Sequence, residues 1–110
     1  MLAVYPVPLP GRYVLIVASA RQVADPHALA RALHRAWRRG PPRVWLDCSL
    51  VAAADAGATA RVLRACHGAF AKRGMALLVA HAGADLRRAL VLGGASPGPV
   101  LVESLVAPLP

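Results

Sequence analysis

The side chains that could do chemistry in this chain are few, and they do not form a catalytic group. Of 110 residues five are acidic, and no two of these are spaced to place both carboxylates on one face of an element. A general acid–base pair is therefore not predicted. Cys66 and His67 are adjacent, but neighbours on a helix point about 100° apart, so they cannot work as nucleophile and base. We predict that the protein is not an enzyme.

Metal and phosphate sites are not predicted either. The four histidines are isolated from one another, and Cys48 has no partner at the spacing of a zinc site. Gly93-Gly94 lacks the lysine, the hydroxyl residue and the preceding strand of a phosphate-binding loop. Cys66 falls on an apolar stripe, so we expect it in the core. The sequence implies neither a metal nor a cofactor.

The composition predicts one folded domain. The hydrophobic set makes up 57% of the chain, which is too much for a disordered segment, although 24 of these residues are alanine. The formal charge is +8, but the twelve arginines accompany many Ala, Gly and Pro residues, a pattern typical of GC-rich coding. The charge alone therefore does not imply nucleic-acid binding. Two cysteines make no disulfide framework, and we expect a reducing, cytoplasmic location.

Membrane spans and a signal peptide are not predicted. No stretch of about 18 residues is apolar without a charge, Pro or Gly. Residues 1–10 lack a basic start and contain three prolines, which argues against a signal peptide. We expect a single domain over residues 1–110, with its core over 11–106 and proline-rich ends at 6–10 and 107–110.

Apolar runs alternate with amphipathic segments along the chain, which is the pattern of an α/β fold. The apolar runs predict strands at residues 2–7, 12–18, 43–47, 75–80 and 100–106, with a turn at Pro97-Gly98-Pro99. The amphipathic segments predict helices over 25–39, from Asp55 or Gly57 to Gly74, and over 85–92. Asp25 and Asp85 are interpreted as helix caps, and residues 48–56 as a loop. This order predicts a mixed, mostly parallel sheet of four or five strands with helices packed on it.

The same patterns predict which side chains are buried. On the strands these are Val14, Ile16, Val44, Leu46, Leu77 and Val79. On the first helix they are Leu29, Leu33, Ala36 and Trp37, and on the second Val62, Leu63, Cys66, Ala69 and Phe70. The basic residues expected to face water include Arg31, Arg35, Arg38, Arg61 and Arg64.

Residues 44–59 are the most informative stretch. They are interpreted as a buried strand that ends at Asp47, a loop, and a second aspartate, Asp55, at the start of a helix. Open α/β sheets place binding surfaces at the carboxyl ends of their strands, and a helix start adds exposed N–H groups. The alternative is that both aspartates only cap the loop and the helix.

The order of these elements and several short motifs resemble the STAS domain. The motifs are D-x-S-x-V at 47–51, the aspartate at 55, G-M-A-L-L-V at 74–79 and D-L-R-R-A-L-V-L-G-G at 85–94. STAS domains occur in anti-sigma factor antagonists, lipid-transport accessory proteins and anion-transporter tails. The resemblance covers residues 11–106 and implies a small mixed sheet with helices on one side.

The resemblance also locates a regulatory position. In regulated STAS members a phosphorylated Ser or Thr follows the aspartate, and Ala56 occupies that position here. If the alignment slides by one residue, Asp55 occupies it instead, so neither alignment leaves a hydroxyl group. Thr59 is the nearest hydroxyl and is the alternative acceptor. The resemblance therefore implies a domain without phosphorylation switching.

The function implied by the resemblance is a non-catalytic interaction module. It would dock an anti-sigma factor or kinase through Asp55, Ala56, Gly57, Thr59, Arg61 and Arg64. One alternative is an accessory subunit that stabilises the ATPase of a lipid-transport ABC complex. Another is an anion- or nucleotide-binding domain that uses Arg61 and Arg64. The sequence does not specify an oligomeric state.

Overall fold

The computed structural model describes residues 1–22, 24–92 and 98–103. The elements are β1 (Leu2–Leu9), β2 (Arg12–Ser19), α1 (Ala28–Arg39), β3 (Arg43–Leu50), a 3-10 turn (Ala53–Asp55), α2 (Ala56–Lys72), β4 (Ala76–Ala80), α3 (Ala84–Leu92) and β5 (Val100–Val102). The predicted order of strands and helices is confirmed. The predictions for Gly93-Gly94, Pro97 and residues 104–110 lie outside the described residues.

The sheet has five strands in the spatial order β1-β2-β3-β4-β5. β1 runs antiparallel to β2, and the three remaining pairs are parallel. Parallel neighbours need a crossover connection, and the three helices lie in the three crossovers. The predicted α/β class with a mixed, mostly parallel sheet is therefore confirmed. The end of the sheet where β2 to β5 finish is its carboxyl end, and the opposite end is its amino end.

β1 and β2 form a hairpin whose outer edge is protected by proline. Gly11 has φ +71°, a value that favours glycine, and it closes the two-residue turn between Leu9 and Arg12. The Ala20 N–H donates to the Met1 carbonyl at 2.8 Å, and hydrogen-bonded pairs alternate along an antiparallel ladder. The backbone groups of the odd-numbered residues of β1 therefore bond to β2, whereas those of the even-numbered residues point away from the sheet. Pro6 and Pro8 are even-numbered, and they leave the edge short of N–H donors.

The main core lies between one face of the sheet and the helices. It includes Leu15, Val44, Leu46, Leu77 and Val79 from the strands and Leu29, Leu33, Ala60, Leu63, Phe70 and Leu86 from the helices. A second cluster of Val14, Trp45 and Leu78 lies on the opposite face and contains no residue of a described helix. The helices therefore pack on one face of the sheet, as the STAS resemblance implies.

Five of the side chains predicted to be buried are not: Trp37, Val62 and Cys66 are half-buried against the main core, and Ile16 and Ala69 depart from the prediction in other ways. Ile16 is only half-buried, because its cross-strand neighbours on the face without helices are Tyr5 and Asp47. Ala69 is exposed, although its carbonyl accepts a hydrogen bond from Trp37 Nε1 at 3.2 Å. Burial depends on the neighbours that a side chain meets on adjacent elements, and the sequence pattern does not give these neighbours.

Three predicted boundaries also change. α1 begins at Ala28, since the Asp25 carboxylate accepts from the His27 N–H at 2.8 Å and closes a turn that precedes the helix. The same carboxylate pairs with Arg31 at 2.7 Å. Asp85 is the second residue of α3 and therefore not its cap. β3 continues to Leu50, so part of the predicted loop is strand.

Candidate functional site

The loop that joins β3 to α2 is held by a small polar network at the carboxyl end of the sheet. Ser19, the last residue of β2, donates its hydroxyl to Asp55 Oδ2 at 2.6 Å. The same hydroxyl accepts from the Ala52 N–H at 2.7 Å. Adjacent parallel strands finish at the same end of a sheet, which is why β2 can supply the group that fixes the loop after β3.

Asp55 is kept ionised by its surroundings. The hydrogen bond from Ser19 is the main cause of the lowered pKa of this carboxyl, and the α-ammonium group of Met1, 3.1 Å from Oδ1, adds to it. A donor to a carboxylate favours its charged form. The loop therefore presents a fixed negative charge directly before α2.

Asp55 lies at the start of α2 as predicted, but its side chain does not cap the helix. The carboxylate makes no bond to an N–H of α2. It is the Asp55 backbone carbonyl that interacts with the helix, by accepting from the Thr59 hydroxyl at 2.8 Å. Asp47 does accept from the Ser49 N–H, at 3.0 Å, so the capping alternative describes Asp47 and not Asp55.

Two of the predicted docking residues are buried. Ala56 is 4% exposed and Thr59 is 0% exposed, because both lie on the side of α2 that faces the sheet. Neither can offer its side chain to a partner in this structure. The hydroxyl of Thr59, the suggested alternative acceptor of a phosphate, is therefore buried, and it donates to the Asp55 carbonyl.

Arg64 also departs from the prediction. It is half-buried, and its guanidinium donates to the Ala89 carbonyl of α3. It therefore ties α2 to α3 and does not face water. Arg61 is exposed, as predicted. Of the two arginines suggested for an anion site, one is therefore engaged by α3 and the other is exposed. This difference weakens the alternative that the domain binds an anion or a nucleotide.

The exposed residues near the start of α2 form the surface that we call the docking face: Leu50, Ala54, Gly57, Ala58 and Arg61. Leu50 is 61% exposed at the end of β3. Ala54, Gly57 and Ala58 are exposed and small, and they succeed one another within about one helical turn. Apart from Arg61, the side chains of this surface are apolar or absent, and the anchored carboxylate of Asp55 lies in the same stretch of the chain.

Ser19 and Leu50 were not singled out from the sequence. Ser19 ends an apolar strand, as many polar residues do, and nothing in its spacing connects it with Asp55. Leu50 belongs to D-x-S-x-V, but its exposure follows from how far β3 extends. The one sequence signal for Ser19 is that it interrupts the apolar run that predicts the second strand.

The thiols lack the environment of a nucleophile. Burial raises the pKa of the Cys48 thiol to about 12, and the charge of Asp47 adds to the shift. Burial also raises the pKa of Cys66. The ring nitrogens of His67 are buried and have no hydrogen-bond partner among the described residues. A reactive cysteine needs the opposite shift, toward the thiolate.

The part of the chain that the structure describes contains no group of three His, Cys, Asp or Glu side chains close enough together to hold a metal ion. No helix in residues 1–22, 24–92 and 98–103 is long and apolar enough to cross a membrane.

Comparison with known proteins identifies the fold. No protein-family model and no curated protein matches the sequence. Among solved structures, the chain is similar to a serine-to-glutamate variant of RsbS from Moorella thermoacetica, an anti-sigma factor antagonist with a STAS domain. The TM-score is 0.67 at 12% sequence identity, and the match covers 93% of this chain and 87% of RsbS. At this identity the similarity concerns the fold, and the protein therefore has a STAS-like fold.

Proposed function

We propose that the protein is a non-catalytic interaction module that binds a regulatory protein of the anti-sigma factor or kinase type through the docking face. The observation that carries this proposal is the character of the surface between Leu50 and Ala58. Apart from Asp55, whose carboxylate is held by Ser19, every side chain exposed there is apolar or absent, and Leu50 is 61% exposed. Apolar surface with few charges is what the centre of a protein interface needs.

The position of the docking face supports the same proposal. It lies at the carboxyl end of a mostly parallel sheet, where α/β folds place their binding surfaces. The Ser19–Asp55 bond holds the loop in place before a partner arrives, which lowers the entropy cost of binding. The STAS-like fold, shared with an anti-sigma factor antagonist, agrees with a regulatory role. The proposal includes a bacterial cytoplasmic location and an effect on transcription.

The module would act without phosphorylation switching. Ala56 carries no hydroxyl, and the Thr59 hydroxyl is fully buried and bonded to Asp55. A phosphate adds about −1.5 to −2 charge, and a kinase can attach it only to an acceptor that it can reach. The permanent charge of Asp55 would then hold the domain in one binding state. The accessory-subunit alternative would use the same face, and only the identity of the partner separates the two.

Affinity capture with surface variants tests the proposal. The tagged wild-type protein, Ala58→Arg and Arg88→Gln are each used to capture proteins from the source cell. Arg88 is exposed on α3 and does not belong to the docking face, so it is the control. We expect the wild type and Arg88→Gln to retain the same anti-sigma or kinase-type protein. Ala58→Arg should lose it, because a long side chain blocks close approach.

The variants must be shown to fold before capture is interpreted. Both replace exposed helical residues, so their free energies of unfolding should differ from the wild type by less than about 0.5 kcal/mol. If folded Ala58→Arg captures the same partner as the wild type, the docking face is not the binding surface. If the partner is an ABC-type ATPase subunit, the accessory-subunit function replaces the one proposed.

A further inference from the structure

The charges of this protein are unevenly distributed along the sheet. The structure describes all five acidic residues, and each of them follows a parallel strand or lies in the second half of one: Asp25, Asp47, Asp55, Asp85 and Glu103. They therefore lie toward the carboxyl end. Six of the thirteen basic residues lie outside the amino end, so together with the acidic residues they give a net charge close to zero.

The amino end holds the rest of the positive charge. Seven basic residues lie at the starts of β2 and β3 and at the ends of α1 and α2: Arg12, Arg35, Arg38, Arg39, Arg43, Lys72 and Arg73. All except Arg12 are exposed, and no described acidic side chain lies within ion-pair distance of these six. Nearly all of the formal charge of +8 is thus concentrated at one end of the molecule, which attracts an anionic partner.

The turn between β1 and β2 projects from the same end. The pairing of these strands continues to Leu9 and Arg12, and β3 begins level with Arg12, so the turn extends beyond the starts of both strands. Pro8, Leu9 and Pro10 are exposed, Leu9 to 42%, and we call these three residues the apolar tip. Turns usually consist of polar residues and glycine. An exposed apolar tip beside basic residues indicates a partner that takes up apolar side chains as well as positive charge.

The groups at the amino end are spread across the width of the sheet. Leu9 belongs to the edge strand β1, Arg43 begins the central strand β3, and Lys72 ends α2, which packs against β4. Neighbouring strands are about 4.8 Å apart, so β1 and β4 are separated by roughly 14 Å. A small anion cannot contact groups so far apart. The arrangement therefore fits an extended anionic surface.

The apolar tip distinguishes a lipid surface from a nucleic acid. Side chains that bind nucleic-acid bases form hydrogen bonds with base edges or stack on the bases through aromatic rings. The leucine and prolines of the apolar tip can do neither. The two tryptophans at this end carry arginines on their rings, since Arg12 lies 4.4 Å from the centre of Trp45 and Arg73 lies 4.5 Å from that of Trp37.

The position of the apolar tip distinguishes a lipid surface from an acidic protein. Protein interfaces are apolar at the centre and charged at the rim. Here the apolar tip lies at the edge of the sheet, and the basic starts of β2 and β3 lie closer to its middle. A bilayer accepts apolar side chains at any point of its plane, while basic residues beside them bind the headgroups.

We propose that the amino end of the protein binds the surface of a bilayer that contains anionic lipids. The apolar tip enters the boundary between headgroups and acyl chains, and the exposed basic residues bind lipid phosphates. The docking face lies at the opposite end of the sheet, so it points away from the membrane and stays accessible. The two sites are separate, and failure of this inference would leave the proposed function unaffected.

Co-sedimentation with lipid vesicles tests the inference. At low salt we expect the protein to bind vesicles of phosphatidylglycerol and phosphatidylcholine in equal parts, and not vesicles of phosphatidylcholine alone. Leu9→Ser should weaken binding by about tenfold, because the apolar tip then buries less apolar area in the bilayer. Tyr5→Ser is the matched control: it removes an exposed apolar side chain from the same strand, away from the turn, and should bind like the wild type.

Two double variants test the contribution of the charges. Arg39→Gln/Lys72→Gln should weaken binding to the anionic vesicles by about tenfold, because it removes two basic residues near the surface. Arg21→Gln/Arg88→Gln removes two exposed charges outside the amino end and should bind like the wild type. Urea denaturation establishes that each variant is folded before its binding is compared.

The inference is overturned if the wild type does not bind the anionic vesicles, or binds phosphatidylcholine vesicles equally well. Equal binding of folded Leu9→Ser and the wild type would show that the apolar tip is not inserted. An equal loss in both double variants would show a response to net charge alone. Displacement from the vesicles by a single-stranded oligonucleotide or by polyglutamate, at equal concentrations of negative charge, would assign the amino end to a nucleic acid or to an acidic protein.

Discussion

Ser19 positions the carboxylate of Asp55, which is the main charge of the candidate site. Its hydroxyl bridges the Asp55 carboxylate and the Ala52 N–H, so a single side chain fixes both the charge and the loop. Asp55 itself could be singled out from the sequence, because it follows a strand and precedes a helix. Ser19 could not, since it lies 36 residues away and meets Asp55 only after β2 and β3 pair.

Replacement of Ser19 by alanine should raise the pKa of Asp55 toward the ordinary value of 3.8. The variant removes the donor that stabilises the charged form. A carboxyl titration followed by NMR measures the change, with Ser49→Ala as the control. A lowered pKa means that the carboxylate stabilises the fold above pH 3.8 and that this contribution is lost as the pH falls further. An unchanged pKa in Ser19→Ala would show that the bond is not formed in solution.

The two cysteines should differ in their reactivity. Cys48 is buried, with its pKa raised to about 12, so it should resist iodoacetamide at neutral pH in the folded protein. Cys66 is only half-buried and should be labelled faster. Mass spectrometry of partly labelled protein measures both rates, and urea-unfolded protein is the control. Rapid labelling of folded Cys48 would contradict its placement in β3.

At the scale of the elements, periodicity predicted the strands and helices. It did not predict which of their faces are buried by neighbouring elements. Val14 and Ile16 point to the same face of the sheet, yet only Val14 is buried. The difference arises from the neighbouring strands: Val14 is flanked by Val7 and Trp45, whereas Ile16 is flanked by Tyr5 and Asp47. Such cross-strand neighbours depend on register, which the sequence alone does not specify.

α2 shows the same limit within the candidate site. Its start and length were predicted closely, and Leu63 and Phe70 are buried as expected. The rotation of its first turn was not predicted, and that rotation buries Ala56 and Thr59 while it exposes Gly57 and Ala58. The set of docking residues predicted from the sequence therefore includes two that point inward.

Phe70 should be the most costly residue of α2 to truncate. It is 2% exposed in the main core, so Phe70→Ala should lower the free energy of unfolding by about 3–5 kcal/mol. Urea denaturation measures this value. Ala65→Ser, at an exposed position of the same helix, should change it by less than about 0.5 kcal/mol. A loss below 1 kcal/mol for Phe70→Ala would mean that α2 does not pack against the sheet as described.

At the scale of the whole molecule, the topology separates two surfaces. The helices return antiparallel to the strands, so residues at strand starts gather with residues at helix ends. This places the arginines of α1 and α2 beside those that begin β2 and β3. The total charge of +8 is evident from the sequence, but its concentration at the amino end follows only from the fold. The carboxyl end, whose net charge is close to zero, carries the docking face.

The central claim, that the docking face meets the partner, is tested most directly by site-specific crosslinking in the source cell. A photoreactive amino acid is placed at position 58 in one variant and at position 88 in another. Both residues are exposed and helical, but only Ala58 lies on the docking face. We predict a crosslink from position 58 to a protein of the anti-sigma factor or kinase type, and none from position 88. A crosslink to that protein from position 88 alone would contradict the account.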